Sequence, residues 1–318
     1  MIDNIPRISV IIITYNQENV IDRTLRSLLS QKDYIYEICI SDDHSTDKTW
    51  DILHEYETMY SGLFKLNRNE VNLGIFDNTE KVWSMPTGDI VYDLAGDDEA
   101  GEGWFKKVID FITENEIDYK NELYSIYGDY TAIYPNGDRF IFKNNKIVLG
   151  KDSFSMALRG LVNGRGRCYS MAIHKMFVKV SHGRSHIVER AQDNQVYCFT
   201  KNTYYIPSCA NIYYTNIGIS ANLSNELLDE RLQIFKFSED FYRRIGRPYT
   251  KKDLAYTDFE IASVTYASKK TMSSFFKMCF MFFRAIDPNL PEWGLNSKRY
   301  FFAILRRLPH RKPLEMTL

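Results

Sequence analysis

The chain has 318 residues, 44% of them hydrophobic and 25% charged, with a formal net charge of −1. That apolar content can fill a core, which excludes a disordered chain, and the length fits one large or two modest domains of about 100–200 residues. Near-neutral charge argues against a dedicated nucleic-acid binder, whose affinity rests on neutralising phosphates.

Ile8–Ile13, Ile-Ser-Val-Ile-Ile-Ile, predicts a buried strand, ending in the polar turn Thr14-Tyr15-Asn16. Val20, Ile21, Leu25, Leu28 and Leu29 then recur at helical spacing. Tyr36–Ser41 predicts a second strand closed by Asp42-Asp43, and Ser45-Thr46-Asp47 can cap the following helix around Trp50, Leu53 and Tyr56. Phe64-Lys65-Leu66 reads as a third strand and Asn72-Leu73-Gly74 as a turn. Asn78–Met85 reads as a helix stopped by Pro86 and Gly88, and Asp89–Leu94 as a fourth strand running into Gly96-Asp97-Asp98-Glu99. Residues 101–220 mix helices with strand-like stretches at Leu123–Tyr127, Thr131–Tyr134, Phe140–Phe142 and Tyr204–Ile206. From Asn225 the pattern is helical, with a break at Arg247-Pro248. Five cysteines without a CxxC pair point to a reducing compartment rather than to disulfides or structural zinc. Met1–Arg7 reads as neither a signal nor a transit peptide, and no apolar run approaches the ~20 residues of a membrane-spanning helix.

Strands alternating with helices over the first hundred residues predict an α/β fold with a doubly wound, mostly parallel sheet, followed by a helical C-terminal extension. In such sheets ligands sit beyond the carboxyl ends of the strands, and three polar clusters fall there: Thr14–Asn16, Asp42-Asp43 and Gly96–Asp98. Adjacent carboxylates such as Asp97 and Asp98 repel one another unless a cation lies between them and a diphosphate, and Mg²⁺ or Mn²⁺ suits such hard oxygen ligands. Neither GxxxxGK[ST] nor GxGxxG occurs. Each cluster also has a plain structural reading: a helix cap for Asp42-Asp43, a solvated turn for Asp97-Asp98-Glu99. Gly164-Arg165-Gly166-Arg167 reads equally as a phosphate binder and as a flexible basic loop. His174, His182 and His186 read as core or surface residues, since no HExxH pattern supports zinc.

The run Ser9–Asn16, then Asp42-Asp43-His44-Ser45-Thr46-Asp47, Asn72-Leu73-Gly74 and Gly96-Asp97-Asp98, resembles the inverting family-2 glycosyltransferases of the GT-A fold, of bacterial surface-polysaccharide type. The order and spacing match over residues 7–105. The resemblance implies a nucleotide-diphosphate sugar donor, usually a UDP-sugar, and Mn²⁺ or Mg²⁺. By position, Thr14, Tyr15 and Asn16 line the nucleotide pocket. Asp43, with Asp42 beside it, meets the base, while Asn72, Gly74 and Asn78 lie on the base and ribose side. Asp97 faces the ribose or metal waters, and Asp98 ligates the metal. Many relatives carry Leu-Asp-x-Asp-Asp, where this chain has Leu94-Ala95-Gly96-Asp97-Asp98. The family places its catalytic base in a short acidic motif ahead of a helix, which implies Asp193 in Arg190-Ala191-Gln192-Asp193-Asn194-Gln195, with Glu189 as the second choice.

The expected organisation is a catalytic domain over 1–220, divided into a nucleotide-binding half (1–100) and an acceptor half (101–220), then a basic, aromatic-rich helical region over 221–318. From Lys269 onward, ten Lys and Arg face three acids, a segment of +7 against −8 for the rest. Basic aromatic helices lie well at an anionic membrane surface, and they serve equally as a packed helix pair with solvated charges. The expected activity is transfer of a sugar to a hydroxyl of a glycan or lipid-linked oligosaccharide, in the cytoplasm or at the inner face of the membrane, with no nucleic-acid partner. The alternatives are a catalytically inactive sugar-nucleotide or glycan-binding module, and a nucleotidyltransferase, against which stands the lack of a glycine-rich basic loop after the first strand.

Overall fold

The computed structural model describes residues 5–144, 154, 164–178, 195–215 and 238–285. The chain divides into two compact units, residues 1–222 and 223–318.

In the first unit, β1 (Ile8–Thr14), β2 (Glu37–Asp42), β3 (Phe64–Arg68) and β4 (Ile90–Ala95) pair in parallel in the order β3-β2-β1-β4. The intervening helices are α1 (Ile21–Leu29), α2 (Thr49–Met59) and α3 (Ile75–Trp83). Alternation along the strands divides the core. Ile8, Val10, Ile12, Ile38, Ile40, Tyr92 and Leu94 face Leu25 and Leu28 of α1, Leu53 of α2 and Trp104 and Phe105 of α4 (Trp104–Glu114). Ile11, Cys39 and Val91 face Val82 of α3 together with Met171, Ile173 and Val196. Both faces are covered, so these strands read as continuous apolar runs rather than alternating ones.

Beyond β4 the sheet continues through β8 (Cys168–Ser170), β6 (Tyr124–Ile133) and β9 (Asn202–Tyr214) to β5 (Glu99–Ala100), and β7 (Arg139–Phe142) pairs with β6. β8 is antiparallel to β4 and β6, and the long β6 and β9 run parallel to each other. The stretches Leu123–Tyr127 and Thr131–Tyr134 are parts of one strand. The apparent gap between them is Gly128, where a Cβ would lie 2.8 Å from the Trp104 ring. A glycine inside a strand marks such a close approach. The stretch at Tyr204–Ile206 extends into a thirteen-residue strand, with Pro207 placed where the register to β6 shifts between Tyr127 and Asp129. A register shift tolerates the missing N–H of proline. The helix expected at Asn78–Met85 begins earlier, at Ile75, directly after Gly74 at φ 87°. The helix after β2 is not capped by Ser45. Asp47 Oδ1 accepts from the Thr49 amide, while Ser45 bonds to Asp42.

The chain leaves β1 toward β2 and β3, then returns to place β4 on the other side of β1. This reversal opens a crevice beyond the carboxyl ends of β1 and β4, the position where open α/β sheets take ligands.

In the second unit, the helices Lys251–Lys269 and Met272–Ala285 pack through Tyr256, Phe259, Ala262, Tyr266, Met278 and Phe282. A reciprocal capping box between Thr250 and Asp253 starts the first of them, after the break at Arg247-Pro248. Among the described residues no helix is long and apolar enough to cross a membrane.

Candidate functional site

Two clusters occupy the crevice end of the sheet, one beyond β1 and β2 and the other beyond β4.

The first is built on Asp43, 3% exposed. Its carboxylate accepts from the Asn69 amide (2.9 Å) and from the backbone N–H groups of Leu73 and Gly74 (2.8 Å each). Two motifs thirty residues apart thus meet on one side chain. An ionised carboxylate offers about four acceptor positions, so one stays open to a ligand N–H. Behind it, Asn69 also donates to Asn78 Oδ1 (2.9 Å), which accepts from Ser41 Oγ (2.6 Å), while Asn78 Nδ2 donates to the Ser41 carbonyl (3.0 Å). Asn78 is buried and braces Asn69 rather than lining an open surface. Asp42 is completely buried. It accepts from the Ser45 amide (2.9 Å) and hydroxyl (2.5 Å), with the Arg68 guanidinium 3.7 Å away. Asp42 therefore shapes the loop and does not turn to the ligand side with Asp43.

The turn after β1 is stapled to this loop. Asn16, at φ 51°, donates its amide to Ser45 Oγ (2.9 Å) and accepts from the Thr46 amide (2.8 Å). Glu18 and Asp47 add reciprocal bonds to the backbone of Lys48 and Glu18. Tyr15 stands out at 45% exposure, open to stacking. The Thr14 hydroxyl is buried without a hydrogen-bond partner among the described residues. Asn72 is half-buried in the same loop as Leu73 and Gly74.

An Asp43→Ala variant is expected to lower the melting temperature by several degrees, because the Asn69 amide and the Leu73 and Gly74 N–H groups lose their shared acceptor. Thermal denaturation of the variant beside the wild type checks this.

The second cluster is the Gly96-Asp97-Asp98 turn. Two residues of α1 hold its backbone: Thr24 Oγ1 lies 2.9 Å from the Gly96 carbonyl and 2.7 Å from that of Asp98, and Arg23 donates to the Asp97 carbonyl (2.5 Å). Arg23 stacks 3.5 Å from the centre of the Tyr214 ring. Asp98 is 3% exposed; it accepts from the Tyr214 amide (3.3 Å) and pairs with Arg165 (3.4 Å), whose guanidinium lies 3.6 Å from the centre of the Tyr213 ring. Burial pushes the Asp98 carboxyl up to about 6; Arg165 pulls it down and neighbouring Asp97 pushes it up. Burial also raises Asp97. Sequence reasoning missed Arg23, Thr24 and the Tyr213-Tyr214 pair, which carry no motif of their own. It left Arg165 undecided, and the structure pairs it with Asp98.

Among the described residues no three or more His, Cys, Asp and Glu side chains converge to hold a metal ion. The donor set at this turn is two adjacent carboxylates, with Ala95 in place of a further acid. Mg²⁺ binds through one or two carboxylates plus substrate phosphates, keeping several waters. The set fits a divalent ion in that manner, with the phosphates as co-ligands. Asp193, Gln192 and Glu189 lie outside the described residues, as do His182 and His186.

Residues 9–159 match the model of a family described as "Glycosyl transferase family 2". EpsE of Bacillus subtilis (strain 168), described by its name as a glycosyltransferase, is 32% identical over 110 residues, 35% of this chain and 40% of that protein. TuaG of the same organism, named for teichuronic acid biosynthesis, is 31% identical over 121 residues, 38% of this chain and 48% of that protein. The matches span under half the length of these curated relatives. Among solved structures, S. aureus TarS 1–349 superposes with a TM-score of 0.62 at 14% identity, covering 94% of this chain and 90% of that one. Its complex with UDP-GlcNAc gives 0.57 at 16% identity, with the same coverage. At these identities the likeness establishes the fold, which is GT-A. By sequence, residues 9–159 resemble glycosyl transferase family 2, and the architecture of the chain is that of the GT-A fold.

Proposed function

We propose that the chain is an inverting glycosyltransferase that moves a sugar from a nucleotide-diphosphate donor, a UDP-sugar, to a hydroxyl of a glycan or lipid-linked oligosaccharide. It serves bacterial surface-polysaccharide synthesis, in the cytoplasm at the inner face of the membrane. The observation that carries this reading is the meeting of two unlike polar clusters in one switch-point crevice: the Asp43 acceptor beyond β2, and the Asp98–Arg165 pair beyond β4. The first suits the imide N–H of a pyrimidine, the second a diphosphate. The choice of a UDP-sugar takes support from the TarS complex with UDP-GlcNAc.

In this reading Asp193 accepts the proton of the acceptor hydroxyl. The hydroxyl oxygen attacks the anomeric carbon in line as its bond to the diphosphate oxygen breaks, and the configuration inverts. Arg165, held against Tyr213, supplies fixed positive charge to the departing diphosphate. Asp98, with Asp97 beside it, would hold Mn²⁺ or Mg²⁺, which supplies Lewis-acid charge when bound with the donor phosphates. Arg23 and Thr24 keep the turn in place.

A second reading, a sugar-nucleotide-binding module without turnover, is favoured by Ala95 and by Gln192 in place of an acid. UDP release from a panel of UDP-sugars, with Mn²⁺, Mg²⁺ or chelator and a glycan acceptor mixture, separates the two. Metal-dependent release from one donor supports transfer. Donor binding without release supports the binding module.

A further inference from the structure

The helix Met272–Ala285 has two apolar faces, and among the described residues only one of them is packed. Met278 and Phe282 are buried against the preceding helix, with Phe275 partly so. On the other side Met272, Phe276, Phe280 and Phe283 are 67%, 62%, 61% and 70% exposed. At 3.6 residues per turn these four fall within an arc of about 80° and span roughly 17 Å along the axis. Lys277 and Arg284 follow along one edge of that arc, and Lys269 and Lys270 stand at its N-terminal end, all exposed. Arg284 lies 3.8 Å from Asp258, a half-exposed partner, and the helix itself contains no acid.

We propose that this face is a membrane-surface anchor: Met272, Phe276, Phe280 and Phe283 enter the headgroup–acyl boundary of an anionic bilayer, and Lys269, Lys270, Lys277 and Arg284 meet its phosphates. Soluble proteins seldom expose aromatic side chains in so continuous a stripe. An in-plane interfacial helix has this combination of an apolar stripe and a basic margin. The charge distribution fits the same occupant, since the segment from Lys269 carries +7 on a chain of net −1 and anionic lipid attracts such a basic segment. The inference deepens the reading above, on which it rests for its purpose: an acceptor carried by lipid is met at the bilayer surface.

The test is sedimentation of the full-length chain with vesicles of phosphatidylcholine alone or with 30% phosphatidylglycerol. The wild type is expected to bind the anionic vesicles. Phe276→Ser/Phe280→Ser/Phe283→Ser is expected to weaken that binding at least about tenfold. Lys269→Gln/Lys270→Gln/Lys277→Gln is expected to abolish the preference for phosphatidylglycerol, as is high salt. All substituted positions are solvent-facing, so circular dichroism and UDP affinity should match the wild type. Equal vesicle binding by wild type and the phenylalanine variant would overturn the proposal. So would a wild-type dimer in sedimentation equilibrium that the variant dissolves, since the face would then pack a second copy. Vesicle binding requires no turnover. Bound protein that releases UDP from no donor would therefore sink the transfer reading and leave the anchor standing.

Discussion

In the proposed reading, Asp98→Asn is expected to lower UDP release by about a thousandfold, with little loss of fold, because the carboxylate removed would hold the divalent ion that meets the departing diphosphate. Its position is fixed by the surrounding chain: Thr24 holds its carbonyl, the Ala95 carbonyl accepts its amide, and the Tyr214 amide meets one carboxylate oxygen. An amide oxygen keeps the Tyr214 bond and loses only the charge. The stability of the ligand-free protein should move the opposite way. Burial raises the Asp98 carboxyl from its ordinary value to about 6, so between pH 4 and 6 the native state holds a proton that the unfolded chain has lost. Stability from this group therefore falls as pH rises through that window and stays reduced above it. The variant should melt no lower than the wild type at pH 7.5, and the two should converge below pH 4. Thermal scans across pH, beside donor-turnover assays, check both halves. Full activity in the variant would remove Asp98 from the chemistry.

In the proposed reading Asp193 takes the acceptor proton, which a carboxamide cannot do, so Asp193→Asn is expected to cut kcat by about a hundredfold to ten-thousandfold while leaving the Kd for UDP unchanged. Glu189→Gln is the comparison. If it abolishes turnover while Asp193→Asn does not, the base is Glu189. A rise in the UDP Kd with Asp193→Asn would instead assign that residue to the donor. Single-turnover measurements with saturating donor separate these outcomes, because they read the chemical step apart from binding.

The first hundred residues were legible because their strands are buried on both faces and punctuated by polar turns, so β1, β2 and β4 end close to where the apolar runs end. Polar residues at those ends singled out Asp43 and Asp98, which the structure places beyond β2 and β4 at the crevice. They could not separate Asp42 from Asp43: adjacent residues of a strand end point to opposite sides, and only the structure shows which one Ser45 takes. The second half of the sheet was harder. β8 is three residues long, too short for any period to show. Gly128 and Pro207 punctuate β6 and β9 as breakers do, although one admits the Trp104 ring and the other sits in a register shift. The cations over Tyr213 and Tyr214 come from residues more than forty positions away in sequence, beyond the reach of local patterns. In the Phe-rich segment composition gave the content of both helix faces, and only packing showed which phenylalanines remain outside.

The fastening of the Gly96-Asp97-Asp98 turn by α1 bears on engineering. The three carbonyl contacts come from Arg23 and Thr24, more than seventy residues upstream. The acidic turn is therefore not a portable cassette. Transplanted into a related scaffold whose first helix lacks this arginine–threonine pair, it would arrive with its carbonyls unmoored and its carboxylates free to splay. A graft that carries residues 21–29 together with 95–100 would transfer the brace as well as the acids.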